Sequence, residues 1–299
     1  MASAPPAPRS GLATLALIGV TATWGSTFFL IKDLLDRVPV LDFLAVRFAI
    51  ATVVLVLIAP KAVGRLTPRA RRHGVGLGLV YGVAQILQTT GLGHTSASVS
   101  GFVTGMYVVL TPVLGAALLR QRIGRLTWLA VALATAGLAV LSLRGFAVGY
   151  GEALTFLAAA LYAVHILGLG AWSTQRDALG LSVLQMAVIT LVCMLASAPD
   201  GIVLPSRAAD WAAIVYMALV AGALALLAQT WAQAHLSATR AAIVMTMEPV
   251  FAASFAVALG GEAVTLRLLG GGALVLAAMY LVELAPRRRI EAEVMHLGQ

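Results

Sequence analysis

Gln88-Thr89 followed by His94-Thr95-Ser96-Ala97-Ser98 returns in the second half of the chain as Gln229-Thr230 followed by His235-Leu236-Ser237-Ala238-Thr239. Every paired position is separated by the same 141 residues (229 − 88, 235 − 94, 237 − 96). In each copy the polar run ends one long apolar segment and begins the next. The chain therefore contains an internal duplication.

The composition of the whole chain is that of an integral membrane protein. Of its 299 residues, 61% are hydrophobic and 11% are charged, with a mean hydropathy of +0.96, whereas soluble domains carry about 25% charged residues. Spanning a bilayer takes about 20 mostly apolar residues. The sequence contains ten such segments, centred near Val20, Ile50, Gly82, Val108, Ala134, Leu161, Ile189, Ala221, Ser254 and Leu276. We therefore predict an all-α protein with ten transmembrane helices.

The distribution of basic residues predicts the orientation of these helices. If the N-terminus is cytoplasmic, the loops and tails on that side carry 14 basic residues and the opposite side carries 5. Cytoplasmic loops are the ones enriched in Lys and Arg, so both termini are predicted to be cytoplasmic. The same distribution explains the net charge of +8 without a polyanionic partner, and we expect no binding to nucleic acid.

The duplication divides the chain into two halves. Residues 1–10 are predicted to be a flexible tail, 11–145 a first five-helix repeat, 146–285 a second repeat, and 286–299 a basic cytoplasmic tail. Because each repeat holds an odd number of helices, the second must begin on the opposite side of the membrane, so the repeats are inverted. Inverted repeats of this kind build transporters with a central substrate site.

A polar residue followed by proline lies near the middle of the segment after each duplicated run, as Thr111-Pro112 and Glu248-Pro249. Proline inside a helix leaves a backbone carbonyl without its usual donor, so each site is expected to be wet or buried in protein. We predict that the fourth and ninth helices bend near Pro112 and Pro249 and open a central cavity alternately to the two sides.

These residues resemble a known family over essentially the full chain, the ten-helix EamA-type branch of the drug/metabolite transporter superfamily. The resemblance is carried by Trp24-Gly25-Ser26 with Phe28, Arg47-Phe48, Thr95-Ser96-Ala97-Ser98, and Glu248-Pro249-Val250-Phe251 with Gly261-Glu262. It implies an exporter of amino acids, other metabolites or drugs in the bacterial inner membrane. The chain departs from the family pattern at Arg122, where an acidic residue is frequent, and at Tyr162-Ala163, which replaces Trp-Gly.

Two ionisable residues lie deep inside predicted helices, and such groups by default mark a pathway or an ion pair. Glu248 is open to three interpretations: a structural or gating residue, a proton carrier that couples export to a proton gradient, or a substrate contact. Arg47 can pair with Glu248 or another acid, reach toward the interface, or bind a substrate carboxylate; the sequence favours the ion pair.

Uncharged polar and aromatic side chains are the candidates for lining the cavity. They are Trp24, Ser26, Tyr81, Gln85, Gln88, Tyr107, Tyr162, His165, Gln185 and Gln229. Tyr81, Gln85 and Gln88 follow helical spacing and share one face of the third helix. Their alternative role is hydrogen bonding between helices, which contributes about 0.6 kcal/mol per bond. His165 is expected to be a neutral, hydrogen-bonded side chain rather than a proton relay.

Other classes of function lack a motif. Ser26 and Ser100 do not lie in a G-x-S-x-G turn, and neither His94 nor His235 has a second ligand at zinc spacing. We therefore expect no enzymatic activity, no cofactor and no metal site, and a chain that carries both repeats can act as a monomer in the bilayer. The leading prediction is an exporter of amino acids or related metabolites; the alternative is a proton-coupled exporter of cationic drugs that uses Glu248.

Overall fold

The computed structural model describes residues 8–118, 124–144, 147–172, 174, 177–198, 201–233 and 244–284. The α-helices in these ranges are α1 (Pro8–Leu34), α2 (Val40–Ile58), α3 (Pro68–Gly93), α4 (Ala97–Gly105), α5 (Tyr107–Leu118), α6 (Arg125–Ser142), α7 (Tyr150–Trp172), α8 (Ala178–Ser197), α9 (Ala208–Ala218), α10 (Ala225–Gln233), α11 (Glu248–Ala258) and α12 (Leu266–Leu284). A 3₁₀ turn covers Val63–Arg65, and a π-helical turn, Leu219–Leu224, joins α9 to α10. A short antiparallel pairing of β1 (Leu143–Arg144) with β2 (Ala147–Val148) is a small addition to the predicted all-α fold.

The apolar helices are those of a multi-pass membrane protein. Among the described residues, seven helical segments are long and apolar enough to span a bilayer, with α4–α5 and α9–α10 each counted as one segment. Three shorter apolar helices cover Arg125–Leu141, Glu248–Ala258 and Leu266–Leu281. Large apolar side chains on their outer surfaces are exposed, among them Leu15 (66%), Leu57 (74%) and Leu195 (65%). A contiguous exposed apolar surface of this kind fits contact with lipid rather than with water.

Glycines let several helices cross closely. At the crossing of α3 and α7, a Cβ on Gly91 would lie 2.6 Å from the Gly151 carbonyl oxygen, and a Cβ on Gly151 would lie 2.6 Å from that of Gly91. Where α6 crosses α12, a Cβ on Gly137 would lie 2.8 Å from the Gly271 carbonyl oxygen. Small residues at such crossings allow membrane helices to approach through their backbones.

Three membrane segments are interrupted. The fourth breaks into α4 and α5 at Met106, six residues before Pro112, which lies inside α5. The bend predicted at Pro112 is therefore displaced by more than one helical turn. Pro249 lies in the first turn of α11, where a missing backbone N–H costs nothing, so here the proline begins a helix. The eighth segment contains the π-helical turn, a feature frequent at functional sites.

Charged side chains tie the helix ends together at one end of the bundle, the end that contains residues 35–39, 94–96 and 259–265. We call it the predicted outer end, because the distribution of basic residues places it away from the cytoplasm. The contacts are Arg37 to Asp33 (2.5 Å) and Asp210 (2.8 Å), Lys32 Nζ to the Leu92 (3.0 Å) and Gly93 (2.9 Å) carbonyls, Val203 N to Asp42 (3.0 Å), Thr95 Oγ1 to Glu152 (2.8 Å) and Ala97 N to Glu262 (2.5 Å). The hydrogen bonds that Arg37 donates to Asp33 and Asp210 raise the pKa of Arg37, so its guanidinium stays charged at any physiological pH.

Candidate functional site

Arg47 lies on α2 and is only 7% exposed. Its guanidinium carbon lies 5.2 Å from the ring centre of Phe48 and 5.8 Å from that of Phe43, distances typical of cation–π contacts. Its Nε has no hydrogen-bond partner, and no carboxylate of the described residues lies within 4.0 Å of the side chain. The predicted pairing of Arg47 with Glu248 or another acid is thus not found in the described part of the chain.

An aromatic cluster faces Arg47 from α3 and α7. The ring centre of Tyr81 lies 5.5 Å from that of Tyr162 and 4.9 Å from that of His165. Gln85 lies one turn along α3 from Tyr81 and is buried. Tyr81 packs against the apolar cluster that contains Phe43 and Phe48, whose rings contact Arg47, so these side chains share one interior region.

Hydrogen bonds orient the amide side chains around this cluster. The Tyr162 hydroxyl donates to Gln88 Oε1 (2.6 Å), and Gln88 Nε2 donates to Thr104 Oγ1 (3.0 Å), which links α7, α3 and α4. His165 Nε2 lies 2.6 Å from Gln185 Oε1 on α8. His165 is therefore a hydrogen-bonded interior histidine in the described structure.

Glu248 is the first residue of α11 and is 7% exposed. Its Oε2 accepts one hydrogen bond, from the Tyr107 hydroxyl at 3.2 Å. An ionised carboxylate offers about four acceptor positions, so most of its capacity is unused by the described residues. Tyr107, its partner, belongs to the apolar cluster that contains Tyr162 and against which Tyr81 packs. Among the described residues no ion pair joins Glu248 to Arg47.

Trp24 and Ser26 make contacts between α1 and the eighth segment instead of standing free. The Trp24 indole N–H donates to the Ala221 carbonyl in the π-helical turn (2.9 Å). Ser26 Oγ lies 2.8 Å from the hydroxyl of Tyr216. Tyr216 is not among the cavity candidates named from the sequence. In the sequence Tyr216 is a lone hydroxyl in an apolar segment, the same signal that selected Tyr107, and could have been found by it.

One further candidate, Gln229, lies at the edge of the site. Gln229 Nε2 lies 4.0 Å from Met245 Sδ. Gln229 therefore lies beside the segment that immediately precedes Glu248. The second polar run, His235 to Thr239, lies outside the described residues. Among the described residues, no group of three or more His, Cys, Asp or Glu side chains is placed to hold a metal ion.

Residues separated by about the spacing of the duplicated halves touch each other at two places in the described part of the chain. Tyr107 and Glu248 are 141 residues apart, the spacing of the duplicated polar runs. Thr52 Oγ1 lies 2.9 Å from Thr190 Oγ1, and these residues are 138 residues apart. When the two halves of the sequence are aligned in this region, Arg47 corresponds to Gln185 at the same spacing of 138 residues. Two copies of one unit bring equivalent residues into contact only at the axis that relates them.

Comparison with known proteins agrees with this architecture. The model of the EamA-like transporter family matches the chain twice, over residues 11–143 and 149–284. A relative in Archaeoglobus fulgidus described as an uncharacterized transporter is 28% identical over 279 residues, which cover 92% of this chain and 85% of the relative. A solved crystal structure that is 21% identical matches with a TM-score of 0.62 over 91% of this chain and 96% of the other. This last likeness concerns the fold alone.

Proposed function

Since the chain belongs to the EamA-like transporter family, and is a multi-pass membrane transporter, we propose that it exports amino acids or related small metabolites from a bacterial cytoplasm. Ten transmembrane helices in two inverted repeats, 11–145 and 146–285, with both termini cytoplasmic, form the framework of this proposal. The substrate site lies between the repeats and is exposed alternately to the two sides of the membrane.

The observation that carries the proposed substrate class is the buried, unpaired Arg47. Breaking a buried ion pair by removing one partner typically costs about 3–5 kcal/mol, so a guanidinium without an acid needs a counter-charge from elsewhere. A substrate carboxylate supplies it in a bidentate geometry that Arg prefers. Tyr81, Tyr162 and His165 beside it offer aromatic surface to an apolar side chain.

The inverted arrangement is supported by the two contacts between corresponding residues. Thr52 contacts Thr190, and Tyr107 contacts Glu248, as residues near an axis between two copies of one unit would do. We infer that this axis passes next to the proposed substrate site, because Glu248 takes part in the second contact. A site on the axis is equally accessible to both repeats, as alternating access requires.

The mechanism starts from a state closed at the predicted outer end. Four contacts of the described residues there join the two halves of the chain: Arg37 to Asp210, the Val203 N–H to Asp42, Thr95 to Glu152, and the Ala97 N–H to Glu262. Release of substrate to the outside requires these contacts to break. The interruptions at Met106, at the π-helical turn and before Glu248 are the points where the helices can bend.

The alternative, a proton-coupled exporter of cationic drugs, uses Glu248 as the site for the cation. Among the described side chains, Glu248 accepts a hydrogen bond from the Tyr107 hydroxyl alone, which favours this alternative. Arg47 argues against drug export, because a buried guanidinium in the same interior region repels a ligand whose only charge is positive. We therefore place drug export second.

Counterflow in liposomes tests the proposal. Purified protein is reconstituted in liposomes loaded with unlabelled amino acids, and uptake of a labelled amino-acid set is followed with and without a pH gradient. Uptake of amino acids that is lost in Arg47→Gln supports the proposal. Absence of all amino-acid uptake, together with gradient-driven movement of a lipophilic cation that Glu248→Gln abolishes, overturns it in favour of drug export.

A further inference from the structure

The connection between α2 and α3 carries a cluster of positive charge that the proposed transport function does not use. Residues 60–73 contain five Lys and Arg side chains and no acid. They are Lys61, Arg65, Arg69, Arg71 and Arg72, all of them exposed. This basic segment lies at the end of the bundle opposite the predicted outer end, where α2 ends and α3 begins. Basic clusters beside the cytoplasmic ends of membrane helices attract anionic lipids.

A cavity of about 330 Å³ lies between the basic segment and the start of α8. Its lining residues are Ala62, Arg65, Leu66, Asp177, Leu179 and Gly180. The first three belong to the first half of the chain and the last three to the second, so the cavity lies between the two halves. Binding pockets for small ligands measure about 300–1,000 Å³, and this cavity is therefore large enough for a small polar headgroup.

Close packing fixes the apolar floor of the cavity. Leu66 is 4% exposed and packs against Leu181, which is 1% exposed. A Cβ on Gly180 would lie 2.7 Å from the Ala62 carbonyl oxygen and 2.9 Å from Leu66 Cδ2, so the backbone of α8 directly approaches the basic segment. The cavity is thus bounded by contacts between the halves and is part of the folded structure.

Two charged side chains line the cavity, and their surroundings differ. Arg65 is exposed and forms no ion pair with an acid of the described residues, which leaves its guanidinium available to a ligand. The carboxylate of Asp177 accepts a hydrogen bond from Thr174 Oγ1 at 3.0 Å and is thereby engaged in its own turn. Arg71 of the basic segment likewise has a partner, the Gly64 carbonyl oxygen at 3.0 Å. Arg65 is therefore the candidate for binding an anion here.

The position of the cavity places it at the level of the lipid headgroups. α2, a helix of spanning length, ends at Ile58, which is 61% exposed, and residues 59–67 lead from it to α3. α8, also of spanning length, begins at Ala178. Leu179, in the first turn of α8, lines the cavity and is 37% exposed. A ligand in the cavity can therefore extend apolar chains along the outside of the bundle.

We propose that this cavity binds the headgroup of an anionic phospholipid, with the lipid phosphate on Arg65 and the start of the acyl chains against Leu66 and Leu179. A guanidinium binds phosphate through two parallel hydrogen bonds. The surplus of basic side chains around Asp177 favours a lipid with a net negative charge. A lipid bound there contacts both halves of the chain, and this inference does not depend on which substrate is transported.

Native mass spectrometry of the purified full-length protein in detergent tests the proposal, with phosphatidylglycerol as the anionic lipid and phosphatidylethanolamine as the zwitterionic one. We expect one phosphatidylglycerol per chain, bound at least about tenfold more tightly than phosphatidylethanolamine. Equal binding of the two lipids overturns the proposal. Glycerol 3-phosphate, which has the phosphate without acyl chains, should not displace the lipid at equal concentration. Displacement by it would assign the cavity to a soluble phosphate compound instead.

Two variants with the same change of charge separate the cavity from general attraction to the basic segment. Arg65→Gln should weaken phosphatidylglycerol binding at least about tenfold, the size of a hydrogen bond to a charged group. Arg72→Gln, the matched control, changes an exposed side chain that does not line the cavity. Its effect should stay below about threefold in about 0.15 M salt, where the screening length is about 8 Å. Equal losses in the two variants would overturn the site.

A third variant gives an effect of opposite sign. Asp177→Asn removes the acid from the cavity wall and should keep or strengthen phosphatidylglycerol binding, because like charges repel. Weaker binding of phosphatidylglycerol in this variant would contradict the assignment of the phosphate to Arg65. Thermal unfolding of each variant without added lipid shows that the fold is retained, as expected for the exposed side chains of Arg65 and Arg72.

Discussion

Replacing Gly25 by alanine tests whether the position of α11, and with it Glu248, is set by close contact with α1. A Cβ at Gly25 would lie 2.6 Å from the Phe251 Cβ, 2.8 Å from the Ala252 backbone nitrogen and 2.9 Å from the Phe251 carbonyl carbon. These atoms belong to the backbone of α11 or are attached directly to it, so no side-chain rotation relieves the overlap. The two helices must separate.

The size of that separation follows from the contact distances. Carbon atoms prefer about 3.5–4.0 Å, so contacts of 2.6 and 2.9 Å fall short by roughly 0.6–0.9 Å at the lower limit of that range. The hydrogen bond from Tyr107 to Glu248 is already 3.2 Å long, near the limit of a useful hydrogen bond. A shift of α11 by that amount breaks it. Overpacking of this kind costs about 1–3 kcal/mol.

The assay measures thermal unfolding in detergent and leucine counterflow in liposomes for Gly25→Ala and for Gly19→Ala, a matched control. A Cβ at Gly19, on the same helix, meets nothing within 4 Å, so that variant should be neutral or slightly more stable. We expect Gly25→Ala to lower the stability by about 1–3 kcal/mol and the exchange rate at least about fivefold. Stability and exchange equal to those of Gly19→Ala would refute the reasoning.

Three further predictions follow from single contacts. Asp33 and Asp210 both bind Arg37, but the side chain of Asp210 is 4% exposed and that of Asp33 is 69% exposed. Asp210→Asn should therefore destabilise the fold by about 1.5–3 kcal/mol, the range for hydrogen bonds to charged groups, and Asp33→Asn by at most about 1 kcal/mol. Thermal unfolding of the two variants distinguishes these effects. Trp24→Phe removes the indole N–H that donates to the π-helical turn and should lower the stability of the fold by about 0.6–1.7 kcal/mol. An unchanged unfolding temperature would show that this turn needs no donor from another helix. Thr67→Ala removes the hydroxyl that caps α3 and should cost about 1 kcal/mol while leaving the leucine affinity intact, so a change of affinity would contradict the placement of the site.

The family could be predicted from the sequence because its signals are local or periodic. Apolar segments of spanning length, the constant spacing of the duplicated runs and the Trp24-Gly25-Ser26 and Glu248-Pro249 motifs are read without knowing any distance, and the family match confirms the membership that they predict. The described residues contain seven apolar helical segments of spanning length and three shorter apolar helices, so the membrane class that the composition predicts agrees with the structure. Hydrophobicity over about 20 residues depends on the bilayer and hardly on tertiary contacts.

The site was harder to predict, because partner choice is a tertiary property. Arg47 was expected to pair with an acid, since a buried charge usually does, yet it contacts the rings of Phe43 and Phe48. The expected bend at Pro112 lies instead at Met106, directly after Gly105 at the end of α4. The contact of Thr52 with Thr190 was missed because both residues look like ordinary polar substitutions in apolar helices.

The contact between Tyr107 and Glu248 has a consequence for how such a chain can arise. In an assembly of two separate, identical five-helix subunits, residues that meet on the two-fold axis must be the same residue, and two glutamates there would repel each other. Fusion of the two units into one gene removes that constraint and lets the two positions diverge into a hydroxyl donor and a carboxylate acceptor. The single polypeptide can thus join a hydroxyl donor on one half to a carboxylate acceptor on the other, a contact that a residue cannot make with its own identical copy in a homodimer.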